Sequence, residues 1–500
     1  MRKEVSTEYG VVRGIDAADP RITAFKGVPF AAPPIGENRW RAPQPAQSWE
    51  GEKLCCQFAP ISMQAPRGVG DNVYTREWNV QPDIEMGEDC LYLNVWTGAK
   101  SEKDRLPVLV WFFGGGLQEG YTAEMEFDGE RIARRGIVVV TVNYRVNVFG
   151  FLSHPELTEQ QPDAPANFGS LDQKAGILWT IRNIAAFGGD PDNITIAGQS
   201  AGGGSVMSQI ACLENEGRFR RAVVMSGMIG DPYKSGNFMA PKPLSEAEKN
   251  GSAFFDFLGI RTLAEARELD AFYIRDKYME YTNGDRNRMM FNALDGCFAT
   301  GNPMEIIQRG GGVKLDAMMA GNTEDEFMSS FPVSSMEDTG KRAEELFGDK
   351  AQEFLALAAE QGAVGRAHGI EVAVKQTFLR SAQNGSGAAQ YYYRFAPDIP
   401  GWDNAGSFHS CDLWFFFETL AKCWRPFVGR HYDLARQMCN YYCNFIKNGD
   451  PNGMDADGTF MPEWKAYTAQ ERNEMEFAPG GAVQRKENIG SLEHFLIENV

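Results

Sequence analysis

Apolar runs of strand length recur along the chain and alternate with segments of helical spacing. Residues 106–113 and 137–142 are apolar at almost every position, as strands buried on both faces of a parallel sheet are. Residues 91–96 alternate and read as a strand, and shorter strands are predicted at 194–197, 222–226, 315–320 and 389–395. Helical spacing appears near 129–135, over 171–186 and over 434–447, the last ended by Asn448-Gly449-Asp450-Pro451. Such alternation predicts an α/β fold, a mainly parallel sheet with helices on both faces. Residues 25–34 are too rich in proline for regular structure, and 50–87 read as a long loop holding Trp78. Residues 243–310 and 338–384 are mostly helical. With no linker and no repeat, the expectation is one domain over 1–500 with helical insertions at about 230–310 and 335–385.

Composition narrows the class of protein. The 500 residues carry a formal charge of −18, from 67 acidic and 49 basic side chains, which argues against nucleic acid or an anionic membrane as a partner. The longest apolar runs fall well short of the ~20 residues of a membrane helix. The start, Met1-Arg2-Lys3-Glu4-Val5, has no apolar leader. Nine cysteines, an odd number without tight metal spacing, favour reduced thiols and a cytoplasmic location. Cys439 and Cys443 sit four apart on a predicted helix, where packing accounts for them.

One turn concentrates the candidate chemistry. Gly198-Gln199-Ser200-Ala201-Gly202 lies where a predicted strand hands over to a predicted helix, the setting in which a sharp turn lifts a serine hydroxyl clear of a sheet. A serine nucleophile needs a base and a carboxylate to orient it, and after such a turn the order is serine, acid, histidine. Of five histidines, His154 precedes the turn, His368 and His431 sit in helical stretches and His494 lies near the C-terminus. His409 follows a strand and a glycine-bearing loop, ahead of the apolar run Leu413-Trp414-Phe415-Phe416-Phe417 that can wall off water. Glu324, Asp325 and Glu326 all follow the 315–320 strand, and spacing does not choose among them. Gly114-Gly115-Gly116 ends a buried strand, and with the N–H of Ala201 these glycines offer backbone donors to an oxyanion.

These motifs together resemble the type-B carboxylesterase family, which includes bacterial para-nitrobenzyl esterases and the cholinesterases. The resemblance runs over nearly the whole chain. It rests on Phe25-Lys26-Gly27-Val28-Pro29-Phe30-Ala31 with Arg39-Trp40, on Glu88-Asp89-Cys90-Leu91-Tyr92-Leu93-Asn94-Val95, and on Asn143-Tyr144-Arg145 with Phe149-Gly150-Phe151-Leu152. Asn167-Phe168-Gly169 through Leu171-Asp172-Gln173, Phe187-Gly188-Gly189-Asp190-Pro191, Gly449-Asp450-Pro451-Asn452 and Trp464 with Tyr467 add to it. The resemblance implies an α/β-hydrolase fold, with the acid on Glu326, the base on His409 and the oxyanion donors on Gly115, Gly116 and Ala201. It also implies an ion pair between Arg39 and Glu88.

The activity so implied is hydrolysis of small to medium aryl or alkyl carboxylic esters through an acyl-serine, with no metal or cofactor. Alternatives are a specialised esterase on acetylated or feruloylated plant carbohydrates, an amide or carbamate hydrolase and, more distantly, a non-catalytic binding protein of the same fold. Leu117, Phe327, Trp414 and Phe417 are the expected pocket walls. The chain departs from the family pattern at Phe113, often histidine or tyrosine, at Gln199, usually glutamate, and at Phe327, where a glycine usually follows the acid. The neutral amide of Gln199 lacks that glutamate's charge, which implies weaker support for cationic substrates. In secreted relatives the cysteine equivalent to Cys90 is paired, which here would involve Cys55 or Cys56. Trp78-Asn79 resembles the tryptophan of the choline site.

Overall fold

The computed structural model describes residues 2–68, 70–78, 81, 83–362, 364–455 and 458–500. Its frame is an eleven-stranded sheet of β1 (Ile15–Asp16), β2 (Thr23–Pro29), β3 (Tyr92–Thr97), β4 (Leu106–Phe112), β5 (Val138–Val142), β6 (Gly189–Gln199), β7 (Arg221–Met225), β8 (Ala317–Thr323), β9 (Ala389–Phe395), β10 (Asn473–Ala478) and β11 (Gly481–Lys486). The order across it is β11-β10-β9-β8-β7-β6-β4-β5-β3-β2-β1. From β5 to β10 every neighbour is parallel. The flanking strands are antiparallel. The central strands are buried along their length because their Val, Ile, Ala and Met side chains pack under helices on both faces.

Register aligns the carboxyl ends of the parallel strands, where ligands of open α/β sheets bind. Phe112 pairs with Gly198, Gln199 with Met225, Met225 with Gly321 and Gly321 with Tyr393. The loops after β4, β6, β8 and β9 therefore leave the sheet along one edge.

Helices Leu244–Leu258, Leu263–Glu268, Ala271–Thr282 and Pro303–Gln308 lie between β7 and β8, and Met336–Phe347, Ala351–Gln361 and Gly369–Gln383 between β8 and β9. Some elements differ from the sequence reading. β2 runs through Pro29, with a register shift between Phe25 and Val28 that takes up the irregularity, and Pro29 is its last residue, where proline is tolerated. The 50–87 stretch carries the strand Glu52–Leu54 and the helix Val73–Trp78. The β10–β11 hairpin and the terminal helix Leu492–Asn499 went unread.

Arg39 and Glu88 form the implied ion pair, bidentate at 2.6 Å for both contacts. Arg39 also donates to the Ala266 and Leu269 carbonyls and so ties the chain's start to the first insertion. All nine cysteines are free thiols, Cys55, Cys56 and Cys90 included. Among the described residues no helix is long and apolar enough to cross a membrane.

Candidate active site

Ser200 sits between β6 and the helix Ala201–Ala211 with φ 56° and ψ −126°, a conformation an L-residue holds only where its surroundings enforce it. The glycines two before and two after it are hemmed in by backbone. A Cβ on Gly198 would collide with the Gly202 carbonyl, and one on Gly202 with the carbonyls of Phe112 and Phe113. Both glycines are required because strand and helix approach to contact. The Ser200 N–H donates to Met225 O at 2.8 Å and so ties the turn to β7.

His409 arrives on the loop after β9, and Glu326 on the loop after β8. Backbone pairing holds these two loops together. Asp325 N–H donates to Ser407 O at 3.0 Å, and Ser407 N–H to Asp325 Oδ2 at 2.8 Å. His409 Nε2 then lies 2.8 Å from Ser200 Oγ, and His409 Nδ1 2.5 Å from Glu326 Oε2. The other carboxylate oxygen, Oε1, accepts from the Thr323 N–H and hydroxyl, each at 3.0 Å. Burial pushes the Glu326 carboxyl up, but the His409 ring and the Thr323 N–H outweigh it and hold the group below its ordinary value. An ionised carboxylate thus faces Nδ1, a nitrogen that must donate for Nε2 to act as a base.

The other acids of the motif go elsewhere. Glu324 pairs with Arg394 at 2.6 Å and Arg366 at 3.4 Å, and Asp325 is spent on the loop pairing. The remaining histidines are also engaged away from Ser200. His154 caps Pro155–Gln160, His368 packs beside Glu371, His431 accepts from Val428 N–H and His494 pairs with Glu487.

The glycine loop after β4 lies against the elbow. A Cβ on Gly114 would sit 2.8 Å from Gln199 O and 3.1 Å from Ser200 Cβ, so only glycine fits. Gly115 and Gly116 have φ of 106° and 65°. Neither their N–H groups nor that of Ala201 donates to a backbone carbonyl among the described residues. Phe113 stacks on Tyr144 with ring centroids 4.1 Å apart, and its side chain leaves the loop's donors unhindered.

Two cavities meet at Ser200. The smaller, about 90 Å³, is lined by Leu117, Ala201, Met207, Ile229 and Phe298. The larger, about 540 Å³, holds Gly115, Gly116, His409, Phe327, Tyr74 and Trp78. Phe327 stands edge-on to the His409 ring at 4.5 Å and narrows the larger cavity. Trp78 stacks on Tyr74 at 5.8 Å; its neighbour Asn79 lies outside the described residues. Among the described residues no cluster of three or more His, Cys, Asp or Glu is placed to hold a metal ion.

Trp414 and Phe417 line neither cavity, a correction to their expected role as pocket walls. Trp414 is buried and donates its indole N–H to Glu77 Oε1 at 3.1 Å. Phe417 packs edge-on to Trp111 at 4.9 Å. The apolar run after His409 turns inward as core, and its first residue, Leu413, is the one that reaches the larger cavity. The sequence reading also missed Arg67, Tyr74, Glu119, Glu124 and Glu126, which face that cavity. The available signal was three acidic residues closely following the glycine run, in a segment otherwise rich in buried positions.

The carboxylesterase family profile matches residues 1–368 and 366–493. The chain belongs to the carboxylesterase family. It is 30% identical over 493 residues to the para-nitrobenzyl esterase of Bacillus subtilis strain 168, covering 94% of each chain. It is 32% identical over 348 residues to the fumonisin B1 esterase of Sphingopyxis macrogoltabida, a match spanning 69% of this chain and 61% of that protein. The crystal structure of the Geobacillus stearothermophilus carboxylesterase EST55 at pH 6.8 superposes with a TM-score of 0.76 at 28% identity, covering 99% of this chain and all of the other. The central parallel sheet is accordingly that of an α/β-hydrolase, and serine-dependent hydrolysis of carboxylic esters is the activity of this carboxylesterase.

Proposed function

We propose that this carboxylesterase hydrolyses esters of short acyl groups with bulkier alcohols, through an acyl-enzyme on Ser200. The observation that carries the reading is the unbroken line Ser200 Oγ, His409 Nε2, His409 Nδ1, Glu326 Oε2, at 2.8 and 2.5 Å. His409 takes the hydroxyl proton as Oγ attacks the carbonyl, and Glu326 keeps Nδ1 protonated and stabilises the imidazolium. The N–H groups of Gly115, Gly116 and Ala201 receive the oxyanion, each such donor contributing roughly 3–4 kcal/mol in the transition state. His409 then protonates the leaving alcohol, and water repeats the sequence on the acyl-serine.

The direction of that proton transfer supports an assignment of the cavities. The leaving oxygen must face His409, which lines the larger cavity and not the smaller. The larger cavity therefore takes the alcohol, with Phe327 at its wall, and the smaller takes the acyl group, with Leu117 at its wall. The asymmetry of about 540 against 90 Å³ favours acetate-like acyl groups on large alcohols over feruloyl groups. Acetylated carbohydrates thus remain a second reading. The odd count of nine cysteines supports a reducing, cytoplasmic setting.

The test is a rate series on para-nitrophenyl esters from acetate to octanoate, with Ser200→Ala as control. The reading expects kcat/KM to peak at acetate to butyrate and to fall by octanoate. A peak at octanoate would contradict the cavity assignment, and hydrolysis surviving in Ser200→Ala would contradict the nucleophile.

A further inference from the structure

The alcohol cavity carries more acid than the ester chemistry uses. Beyond the oxyanion glycines the chain passes through Glu124 and Glu126, and both side chains line that cavity beside Ser200 and His409. Glu126 is 1% exposed. The two carboxyls neighbour one another. Glu124 Oε1 also accepts the Tyr121 N–H at 3.0 Å. Apart from its partner carboxyl, Glu126 Oε1 meets no N–H or O–H donor among the described residues.

A buried carboxyl oxygen without a donor is costly, and a ligand that brings one relieves that cost. The nearby cation does not fill the role. Arg67 donates to Glu119 Oε2 at 2.9 Å and lies over the Tyr121 ring, so its charge is shared with a third carboxylate. Burial pushes both carboxyls up, Glu124 to about 7 against the opposing effects of Glu126 and Arg67, and the Glu124 charge raises Glu126 further. Of the remaining walls, Tyr74, Trp78 and Phe127 present aromatic rings that suit a cation, and the Arg286 guanidinium lies over the Phe238 ring.

We propose that Glu124 and Glu126 form a subsite for a primary ammonium group on the alcohol half of the ester. The inference rests on the assignment of the larger cavity to the alcohol. An ammonium with N–H bonds satisfies Glu126 Oε1, whereas a quaternary ammonium offers it no donor and a hydroxyl brings no charge. The cationic preference that Gln199 no longer supports is thereby supplied from a different segment, and for a different kind of cation.

Calorimetry on the whole protein separates these cases. Benzylammonium, benzyltrimethylammonium and benzyl alcohol are titrated into wild type, Glu126→Gln and Glu124→Gln. A charge-assisted hydrogen bond in a buried site makes benzylammonium the tightest of the three in wild type by about tenfold or more, and both variants lose that margin. Equal binding of the three, tighter binding of benzyltrimethylammonium, or a margin kept in both variants overturns the proposal. The wild-type ranking decides even if a variant fails to fold. Benzylammonium is also tested as an inhibitor of para-nitrophenyl acetate hydrolysis. Absence of any Ser200-dependent hydrolysis would sink the esterase reading by itself, while amine binding without inhibition would place the subsite outside the alcohol cavity and overturn this inference.

Discussion

The Gln199 side-chain amide lies 3.3 Å from His409 Nε2, the same ring nitrogen that meets Ser200 Oγ at 2.8 Å. Both partners address the one lone pair of a neutral imidazole, and once Nε2 is protonated the amide N–H has nothing to donate to. Gln199 thus favours the resting ring over the imidazolium formed during acyl transfer. Replacing it with a carboxylate reverses that preference, because an opposite charge within about 4–6 Å stabilises the cation by roughly one pH unit or more. Gln199→Glu is expected to move the acid limb of the kcat/KM profile to higher pH by about one unit. An unmoved limb would show that the amide has no electrostatic hold on the base.

Among the three consecutive acids, contact with His409 separates Glu326 from its neighbours. Glu326→Gln removes the charge that orients Nδ1, and kcat is expected to fall by about 10³–10⁴ with KM little changed. Glu324→Gln cuts an ion pair with Arg394 and is expected to leave kcat within about threefold. Asp325→Asn weakens the pairing of the acid and histidine loops, so its cost appears in thermal stability first. Steady-state kinetics on all three, beside melting curves, check the ranking.

Asp412, three residues past His409, is buried and accepts the Tyr393 hydroxyl at 2.9 Å. Burial, with the Glu326 charge adding to it, pushes its carboxyl up to about 7 against the opposing effects of Tyr393 and His409. The folded protein then holds a proton that the unfolded chain gives up near pH 4, so this group's contribution falls as pH rises from about 4 to 7 and is flat above. Asp412→Asn keeps an uncharged acceptor there. Its stability relative to wild type is expected to grow by about 2–3 kcal/mol between pH 5 and pH 8, read by denaturant unfolding at the two pH values. A constant difference would mean Asp412 is ionised throughout.

The Arg39–Glu88 pair joins residues whose side chains are only 6% and 10% exposed. Removing one partner leaves the other charge buried, a loss of about 3–5 kcal/mol. Glu88→Gln is expected to fall within that range in urea unfolding while the rate on para-nitrophenyl acetate at 25 °C stays within about threefold. A loss under about 1 kcal/mol would make the pair a surface-type contact.

The parallel strands were legible because burial on both faces leaves an unbroken apolar run, as in β4 and β5. The β10–β11 hairpin was not, because one face is half-exposed and carries Glu474 and Glu476, so the segment reads as polar. The elbow declared itself through Gly198 and Gly202, whose backbone contacts admit no side chain. Trp414 and Phe417 misled because an aromatic run beside a catalytic loop serves a core as well as a pocket, and only packing decides. Glu124 and Glu126 reach the site through the path of a loop, which hydrophobic periodicity does not record. The choice among Glu324, Asp325 and Glu326 came from family resemblance, and in the structure Glu326 is the one that meets His409.

The central claim is that Ser200 carries the acyl group. It is tested most directly by treating the protein with diethyl para-nitrophenyl phosphate, which phosphorylates an activated serine, and locating the adduct by peptide mass spectrometry. The account predicts one diethylphosphoryl group per chain, on the peptide containing Ser200, in step with loss of esterase activity, and none on Ser200→Ala. An adduct on another residue that tracks the loss of activity would contradict it.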